Sequence, residues 1–118
     1  LAIVCEEMPK QTVNGITYVK VKNSQQALAY MADNFYGNPS VNLKLVGVTG
    51  TNGKTTVASL LYQLFTKAGF KVGLLSTVQV MVAEEKFPAT HTTPDSLTIN
   101  SYLKQMNEAG VEYCFMEV

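Results

Sequence analysis

The strongest candidates for a functional site are eight consecutive residues, Thr49-Gly50-Thr51-Asn52-Gly53-Lys54-Thr55-Thr56. The segment follows an apolar run and opens an amphipathic pattern, which is where a phosphate-binding loop joins a strand to a helix. Glycine lets backbone N–H groups point into a concave anion site, and a helix N-terminus adds the positive end of its dipole. The segment therefore predicts a site for the phosphate groups of a nucleotide.

The side chains of this loop have distinct expected roles. Lys54 can reach the β- and γ-phosphates as a point charge, and the Thr55 hydroxyl can ligate a Mg²⁺ ion that bridges them. Thr56 is expected to contact phosphate. The remaining residues are expected to supply backbone N–H groups and loop geometry: Gly50, Thr51, Asn52 and Gly53. The alternative is a glycine-rich turn with an incidental lysine, but the helix dipole disfavours a lysine there unless an anion is bound.

Further candidates stand at the ends of predicted strands and at a predicted helix start. Glu117 ends one strand, and ligands and metals gather at the carboxyl ends of parallel strands. Ser76 and Thr77 end another strand at the same edge, as second-rank candidates for metal or substrate contacts. Thr93 precedes Pro94 and predicts the N-cap of a helix, whose N-terminus suits a carboxylate or a phosphate.

These residues need a framework of strands and helices to position them. The apolar runs Leu43–Val48, Lys71–Thr77 and Val111–Val118 predict strands, and the first is expected to be buried on both faces. A helix is predicted over Lys54–Ala68, and a second one is expected to start at Thr93. The order strand, helix, strand, helix, strand predicts an α/β fold with a parallel sheet, right-handed crossovers and flanking helices.

Two details of this framework are testable against a structure. The first helix carries a stripe at helical spacing that is expected to face the core as a whole: Val57, Leu60, Leu61, Leu64, Phe65 and Ala68. Val78–Ala83 is expected to extend or re-enter the sheet, and Glu84–His91 is expected to be a loop. His91 is then a loop residue rather than a catalytic base, because no residue at metal or nucleophile spacing accompanies it.

The first third of the chain predicts a separate unit. Ala2–Cys5 and Ile16–Val21 are expected to be strands, and a helical stripe follows, N-capped by Ser24 and stopped by Gly37. The polar, turn-prone stretch over residues 38–42 is a candidate boundary. The chain is therefore predicted to divide into residues 1–39 and 40–118.

Composition excludes several classes of function. Lys and Arg total 9 against 9 Asp and Glu, so the net charge is zero, which argues against a basic nucleic-acid surface. The chain has no apolar run that reaches the roughly 18 residues of a membrane span, and its N-terminus lacks a signal-peptide pattern. Cys5 and Cys114 are expected to be buried, reduced thiols. Together these features predict a cytoplasmic protein with no nucleic-acid or membrane partner.

The residues from Leu45 to Thr56 resemble the nucleotide-binding signature of the Mur ligases, G-[TS]-[NH]-G-K-[TS]-[TS]. The general pattern GxxxxGK[ST] requires glycine where this chain has Val48, but within that family Val48 is no departure. The loop is most similar to that of the tripeptide synthetases, the branch that adds the third peptide residue. Three other segments are similar to that branch as well: Asn34–Ser40, Thr92–Asp95 and Met116–Val118.

The resemblance implies an ATP- and Mg²⁺-dependent amide ligase of peptidoglycan precursor synthesis. It would add a diamino acid to UDP-MurNAc-L-Ala-D-Glu through an acyl phosphate, with meso-diaminopimelate as the favoured amino acid and L-lysine as the alternative. By resemblance Lys54 and Glu117 are catalytic, Thr55 and Glu117 hold Mg²⁺, and Thr92 and Thr93 contact the UDP-sugar-peptide.

The resemblance also implies a domain assignment. Residues 1–39 would be the tail of a smaller UDP-binding α/β domain, and residues 40–118 the first part of the central ATP-binding domain with its P-loop-type sheet. The chain is then expected to be a fragment that cannot turn over by itself. The alternatives are a folylpolyglutamate synthase or cyanophycin synthetase of the same superfamily, a P-loop NTPase of another class, and a non-catalytic binding module.

Overall fold

A computed structural model describes all residues from 1 to 118, and it contains two separate sheets. The first is a parallel pair made by β1 (Ala2–Cys5) and β2 (Thr17–Lys20). Helix α1 (Ser24–Phe35) and a short 3-10 turn (Pro39–Asn42) lead from it to the second sheet. The prediction of two short strands and one helix in this part of the chain is confirmed.

The second sheet has five strands in the order β3-β7-β4-β5-β6. Its elements along the chain are β3 (Lys44–Val48), α2 (Lys54–Lys67), β4 (Val72–Leu75), β5 (Gln79–Val82), β6 (Glu85–Pro88), α3 (Ser96–Glu108) and β7 (Tyr113–Glu117). Strand β7 lies between β3 and β4 and runs parallel to both, whereas β5 and β6 continue the sheet as antiparallel strands. The α/β prediction is confirmed, with a sheet that is mixed rather than wholly parallel.

The antiparallel extension corrects the prediction for Glu84–His91. That segment is not only a loop, because it contains β6. The turn that joins β5 to β6 places Ala83 at a φ of 53°, a left-handed conformation that usually calls for glycine or asparagine. Alanine gives no turn signal in a sequence, so the hairpin could not be recognised from the residues.

The core lies on both faces of the five-stranded sheet. On one face, Ala58 of α2 packs against a cluster of buried sheet residues: Val72, Leu74 and Phe115. On the other face, Leu103 and Met106 of α3 belong to a larger cluster that includes Leu75, Val80, Val82 and Cys114. Gly73 permits this packing, because a Cβ at that position would lie 2.5 Å from the Met106 sulfur.

Two burial predictions are wrong. Strand β3 is not buried on both faces, because it forms one edge of the sheet and Leu45 and Val46 stay 37% and 39% exposed. The stripe on α2 does not face the core as a whole either. Its members Leu61 and Phe65 pack against the sheet cluster, while the others named here are exposed: Val57, Leu60 and Leu64.

Helix starts are displaced from the predicted residues. Helix α1 is N-capped by Asn23, whose side chain accepts the Gln26 N–H at 2.9 Å. Helix α3 is N-capped by Asp95 rather than Thr93, because the Asp95 carboxylate accepts the Thr98 N–H at 2.8 Å. In both cases the cap is a polar residue within two positions of the predicted one, and its side chain accepts an N–H of the first helical turn.

Few interactions join the two sheets. Glu6, just after β1, accepts hydrogen bonds from the Ser24 N–H and hydroxyl at 2.8 and 2.9 Å, which ties the small sheet to α1. Helix α1 packs on α3, and the Asn107 amide donates to the Pro39 carbonyl at 2.8 Å. The result is an elongated molecule, 57 Å along its longest axis.

The two cysteines differ in burial, although both were predicted to be buried thiols. Both cysteines are free, but only Cys114 is buried, and burial raises its pKa to about 12. Cys5 is half-buried, which corrects that part of the prediction. No helix in the structure combines the length and the apolar character needed to cross a membrane.

Candidate functional site

The loop between β3 and α2 has the backbone shape that its glycines predict. Gly53 is the N-cap residue of α2 and has a left-handed φ of 75°, and Gly50 has a φ of 149°. A side chain would strain the backbone at both positions. Helix α2 begins at Lys54, as predicted, so Lys54, Thr55 and Thr56 form its first turn.

A run of backbone N–H groups has no hydrogen-bond partner within the protein. From Thr49 through Thr56, none of the eight N–H groups donates to another protein group, and the next one, of Val57, closes the first helical bond to Gly53 at 2.9 Å. A helix start by itself explains the last four, from Gly53 to Thr56. The four preceding loop residues extend the run into an exposed array of donors, which is the arrangement that binds phosphate oxygens.

Glu117 joins the loop to the rest of the sheet. Its Oε2 atom accepts the Thr55 hydroxyl at 2.9 Å, the Thr77 N–H at 3.1 Å and the Thr77 hydroxyl at 3.1 Å. The three residues lie at the carboxyl ends of three adjacent strands. Glu117 is the last residue of β7, Thr55 comes after β3, and Thr77 comes after β4. The structure thus brings the predicted metal ligands Thr55 and Glu117 into direct contact.

The Glu117 carboxyl is held in its charged form. Desolvation is the largest single influence and pulls its pKa upward. It is outweighed by the hydrogen bonds from Thr77 and Thr55 and by the positive charge of Lys54, so the pKa lies below its usual value of 4.5. An ionised carboxylate next to a hydroxyl and a lysine is suited to binding a cation beside a phosphate.

Thr92 and Thr93 lie in different surroundings. Thr93 lines a cleft of about 140 Å³ together with Thr77 and Glu117, so it shares the surface of the carboxylate site. Thr92 lies in a smaller adjoining cleft of about 40 Å³, where its hydroxyl is 3.1 Å from that of Thr90. Ser76 lines both clefts.

His91 stays apart from these groups. It is exposed, has a φ of 60°, and lines neither of the two clefts. The largest cleft of the molecule, about 700 Å³, is at the other end of the sheet, around Lys44 and Glu112. The chemically distinctive residues are therefore concentrated at the carboxyl ends of β3, β7 and β4 rather than in the largest space.

The donor set fits one class of metal. No three His, Cys, Asp or Glu side chains come close enough together to hold an ion, so a site of the zinc type is not present. Thr55 and Glu117 offer two oxygen ligands. Mg²⁺ is commonly held by one or two protein oxygens with the rest of its shell supplied by phosphates and water, which this pair suits.

Thr77 was a second-rank candidate in the sequence, and the structure places it in direct contact with Glu117. It makes two of the three hydrogen bonds to Glu117. Its place at the end of a predicted strand was visible in the sequence, but the sequence does not show that β7 inserts between β3 and β4. Without that strand order, nothing singles out Thr77 as the neighbour of Glu117.

The comparisons with known proteins agree with this geometry. The family model of the Mur ligase middle domain matches residues 48–118. The chain belongs to the Mur ligase family. The matched region contains the whole phosphate-loop segment together with Thr77, Thr92, Thr93 and Glu117.

Among curated relatives, the Mur ligases of two bacteria are similar over almost the whole chain. The UDP-N-acetylmuramoyl-L-alanyl-D-glutamate–2,6-diaminopimelate ligase of Bacteroides thetaiotaomicron is 53% identical over 117 residues, which is 99% of this chain and 24% of that protein. The ligase of the same name from Cytophaga hutchinsonii is 53% identical over 118 residues, again 99% of this chain and 24% of the relative. The chain thus spans about a quarter of the length of these relatives.

A solved structure of a Mur ligase has the same fold. It is a structure of a UDP-N-acetylmuramoyl-L-alanyl-D-glutamate–2,6-diaminopimelate ligase, with a TM-score of 0.81. The alignment covers 99% of this chain and 23% of that one, at 21% identity. Because the match extends over both sheets, the arrangement of the two is part of the shared fold.

Proposed function

We propose that this chain is the nucleotide-binding part of an ATP-dependent Mur ligase that adds diaminopimelate to UDP-MurNAc-L-Ala-D-Glu. The observation that supports it most is the run of eight unpartnered N–H groups from Thr49 to Thr56. That run lies at the start of α2, beside Lys54 and a charged Glu117. The names of the curated relatives supply the substrate, and favour diaminopimelate over lysine.

The proposed reaction has two steps. The γ-phosphate of ATP is transferred to the terminal carboxylate of the UDP-sugar-dipeptide, which leaves ADP and an acyl phosphate. The amine of the diamino acid then attacks the acyl carbon and releases phosphate, so that an amide bond remains. Charge on the transferring phosphoryl group must be stabilised during the first step, because such reactions depend on positioning and electrostatics.

The residues of this chain have separate roles in the proposal. The loop N–H groups hold the phosphate oxygens, and Lys54 places its charge at the β- and γ-phosphates. Thr55 and Glu117 hold Mg²⁺, which when bound neutralises phosphate charge. Thr93, which lines the cleft beside Glu117, contacts the incoming substrate together with Thr92.

The proposal extends to the organisation and location of the protein. Residues 40–118 form the first part of a central ATP-binding domain, and residues 1–39 belong to the tail of a UDP-binding domain. The two separate sheets and the short 3-10 turn between them support that division. Precursors that carry UDP are used in the cytoplasm, which is where we place the protein.

A phosphate-release assay on the full-length protein that carries this chain tests the reaction. Release of phosphate from ATP is expected to require both UDP-MurNAc-L-Ala-D-Glu and diaminopimelate. Release that neither substrate stimulates would contradict the ligase proposal and favour a P-loop NTPase of another class. Release with a folate or with an arginine–aspartate polymer as acceptor would instead indicate another ligase of the superfamily.

Calorimetry with ATP and Mg²⁺ tests the nucleotide site. Lys54→Ala is expected to weaken binding by about tenfold or more, since it removes a charge from the phosphates. Lys67→Ala is the matched control, because Lys67 lies in the last turn of the same helix and is exposed. Equal affinity of Lys54→Ala and the unmodified protein would remove Lys54 from the site.

A further inference from the structure

The three hydrogen bonds to Glu117 all end on the same oxygen. Oε2 accepts from Thr55 and twice from Thr77, whereas the structure shows no protein donor on Oε1. Thr77 lies outside the phosphate loop, on the other side of β7 from Thr55. The carboxylate is therefore held from both sides through one of its two oxygens.

The backbone at Thr77 is itself fixed by a tight turn. The Ser76 N–H and hydroxyl both donate to the Gln79 carbonyl, at 3.1 and 2.8 Å, and the Gln79 N–H donates back to the Ser76 hydroxyl at 3.1 Å. Ser76 is only 4% exposed, so these bonds are shielded from water. The turn between β4 and β5 thus holds the Thr77 N–H in place toward Glu117.

The two threonines differ in what else they can do. Thr55 belongs to the first turn of α2 and lies next to Lys54. Its hydroxyl oxygen can therefore face a bound cation while its O–H still donates a hydrogen bond to Glu117. Thr77 uses both of its donors on the carboxylate. Its contribution is to the orientation of Glu117 rather than to the cation.

We propose that Thr77 is a positioning residue, which fixes Glu117 Oε2 against the β4–β5 turn and leaves Oε1 as the oxygen for the cation. The inference rests on the proposed nucleotide site. Without the Thr77 hydroxyl, Glu117 keeps the bonds from the Thr77 N–H and from Thr55, but it loses one of the three hydrogen bonds that restrict its rotation. A carboxylate that is less well oriented binds the cation more weakly.

A cation titration on the full-length protein tests the role of Thr77. Binding of Mn²⁺ in the presence of a non-hydrolysable ATP analogue is followed by electron paramagnetic resonance. Thr77→Val is expected to raise the Mn²⁺ concentration for half-saturation by roughly tenfold. Thr77→Ser is expected to keep that concentration close to the value of the unmodified protein, since serine keeps the hydroxyl donor. Binding of the analogue without any divalent cation is expected to be the same in all three proteins.

Two further variants separate positioning from general structural damage. Thr66→Val is the matched control, because the Thr66 hydroxyl bonds the Tyr62 carbonyl at 2.7 Å within α2, and its Mn²⁺ requirement should stay unchanged. In a Glu117→Gln background, Thr77→Val is expected to have no additional effect, because the two residues act as a pair. Circular dichroism and melting temperature confirm that each variant is folded.

The outcomes distinguish this inference from the proposal beneath it. If Thr77→Val needs no more Mn²⁺ than the unmodified protein, or if its effect persists in the Glu117→Gln background, Thr77 has no positioning role. The nucleotide site would stand in either case. If the unmodified protein shows no cation-dependent binding of the analogue, the site and the inference both fall.

Discussion

Strands β3 and β4 lie on either side of β7 and run parallel to it, but their surroundings differ. Every residue of β4 is buried, whereas Leu45 and Val46 of β3 remain 37% and 39% exposed. Strand β4 has β5 as its second neighbour and packs against both core clusters. Strand β3 has an open outer edge. Similar apolar runs in one sheet can therefore differ widely in what they contribute to stability.

The site depends on both strands. The phosphate loop and Thr55 follow the exposed strand, Thr77 follows the enclosed one, and Glu117 at the end of β7 bonds to both threonines. The β4 side of the site is the more firmly held, because Ser76 is buried there and its hydroxyl both donates and accepts a hydrogen bond. The loop that would admit a nucleotide is exposed, as binding loops on a rigid scaffold usually are.

Truncating a leucine in each strand gives the largest contrast. Leu74→Ala removes a side chain that is 0% exposed and should lower the free energy of unfolding by about 2–5 kcal/mol, from lost burial and the cavity left behind. Leu45→Ala should cost about 1 kcal/mol, because that side chain is already partly in water. Urea denaturation of the chain measures both.

The comparison is valid only if both variants unfold like the parent. Unchanged slopes of free energy against urea would show this, since the slope reports the surface exposed on unfolding. Equal costs at the two positions would mean that β3 is as enclosed as β4 in solution. The contrast between the strands would then be wrong.

The difference between the strands also marks what the sequence could predict. The bounds of α2 and the loop before it follow from local signals, namely glycine positions and an apolar period, and both were predicted. The exposure of β3 depends on which strands are its neighbours, which no local pattern records. The run Leu43–Val48 resembles a central strand because its residues are apolar, although it occupies an edge.

The candidate site was predicted in part for the same reason. The loop is continuous in sequence, so all its residues were recognised together. Glu117 and Thr55 are 62 residues apart, and Thr77 is 40 residues from Glu117, so their contacts require the strand order β3-β7-β4. Both its place at a strand end and the resemblance to a family indicated Glu117, whereas Thr77 was indicated only by its place at a strand end.

Two glycines, one in β4 and one in β3, allow the same comparison with smaller expected changes in the free energy of unfolding. A Cβ on Gly73 in β4 would lie 2.5 Å from the Met106 sulfur, while one on Gly47 in β3 would lie 3.3 Å from Val118 Cγ2. Gly73→Ala should destabilise the chain by about 1–3 kcal/mol, because Met106 is completely buried and must repack. Gly47→Ala should cost less than about 0.5 kcal/mol, because Val118 is exposed and can move.

Thermal and urea unfolding of the two alanine variants decide this prediction. In a Met106→Ala background, the loss caused by Gly73→Ala should be partly recovered relative to Met106→Ala alone, because the added methyl then has room. No recovery would show that the cost arises from the backbone and not from the contact with Met106.

A charged side chain on β3 should change the free energy of unfolding only slightly. Val46→Lys is expected to change the free energy of unfolding by about 1 kcal/mol or less, because the lysine stem can lie along the surface with its ammonium group in water. The same variant should reduce self-association, since charged side chains protect sheet edges from pairing. Urea denaturation and sedimentation velocity measure the two effects. A loss as large as that of Leu74→Ala would show that β3 is covered.

The smallest effect concerns the start of α3, the helix that covers one face of β4. Asp95 accepts the Thr98 N–H, and this bond is the main reason that the pKa of Asp95 lies below its usual 3.8. A lowered pKa means that the charged form adds stability above pH 3.8, and that this contribution is lost as the pH falls through the pKa of the folded state.

Asp95→Asn keeps the capping oxygen but does not titrate. The variant should therefore melt slightly below the parent at neutral pH, and the gap should close in acid, once the pH has fallen through the lowered pKa of Asp95. Asp95→Ala, which has no cap, should melt lowest at both pH values. A parent–asparagine gap that persists in acid would mean that the charge of Asp95 contributes nothing to the helix over the enclosed strand.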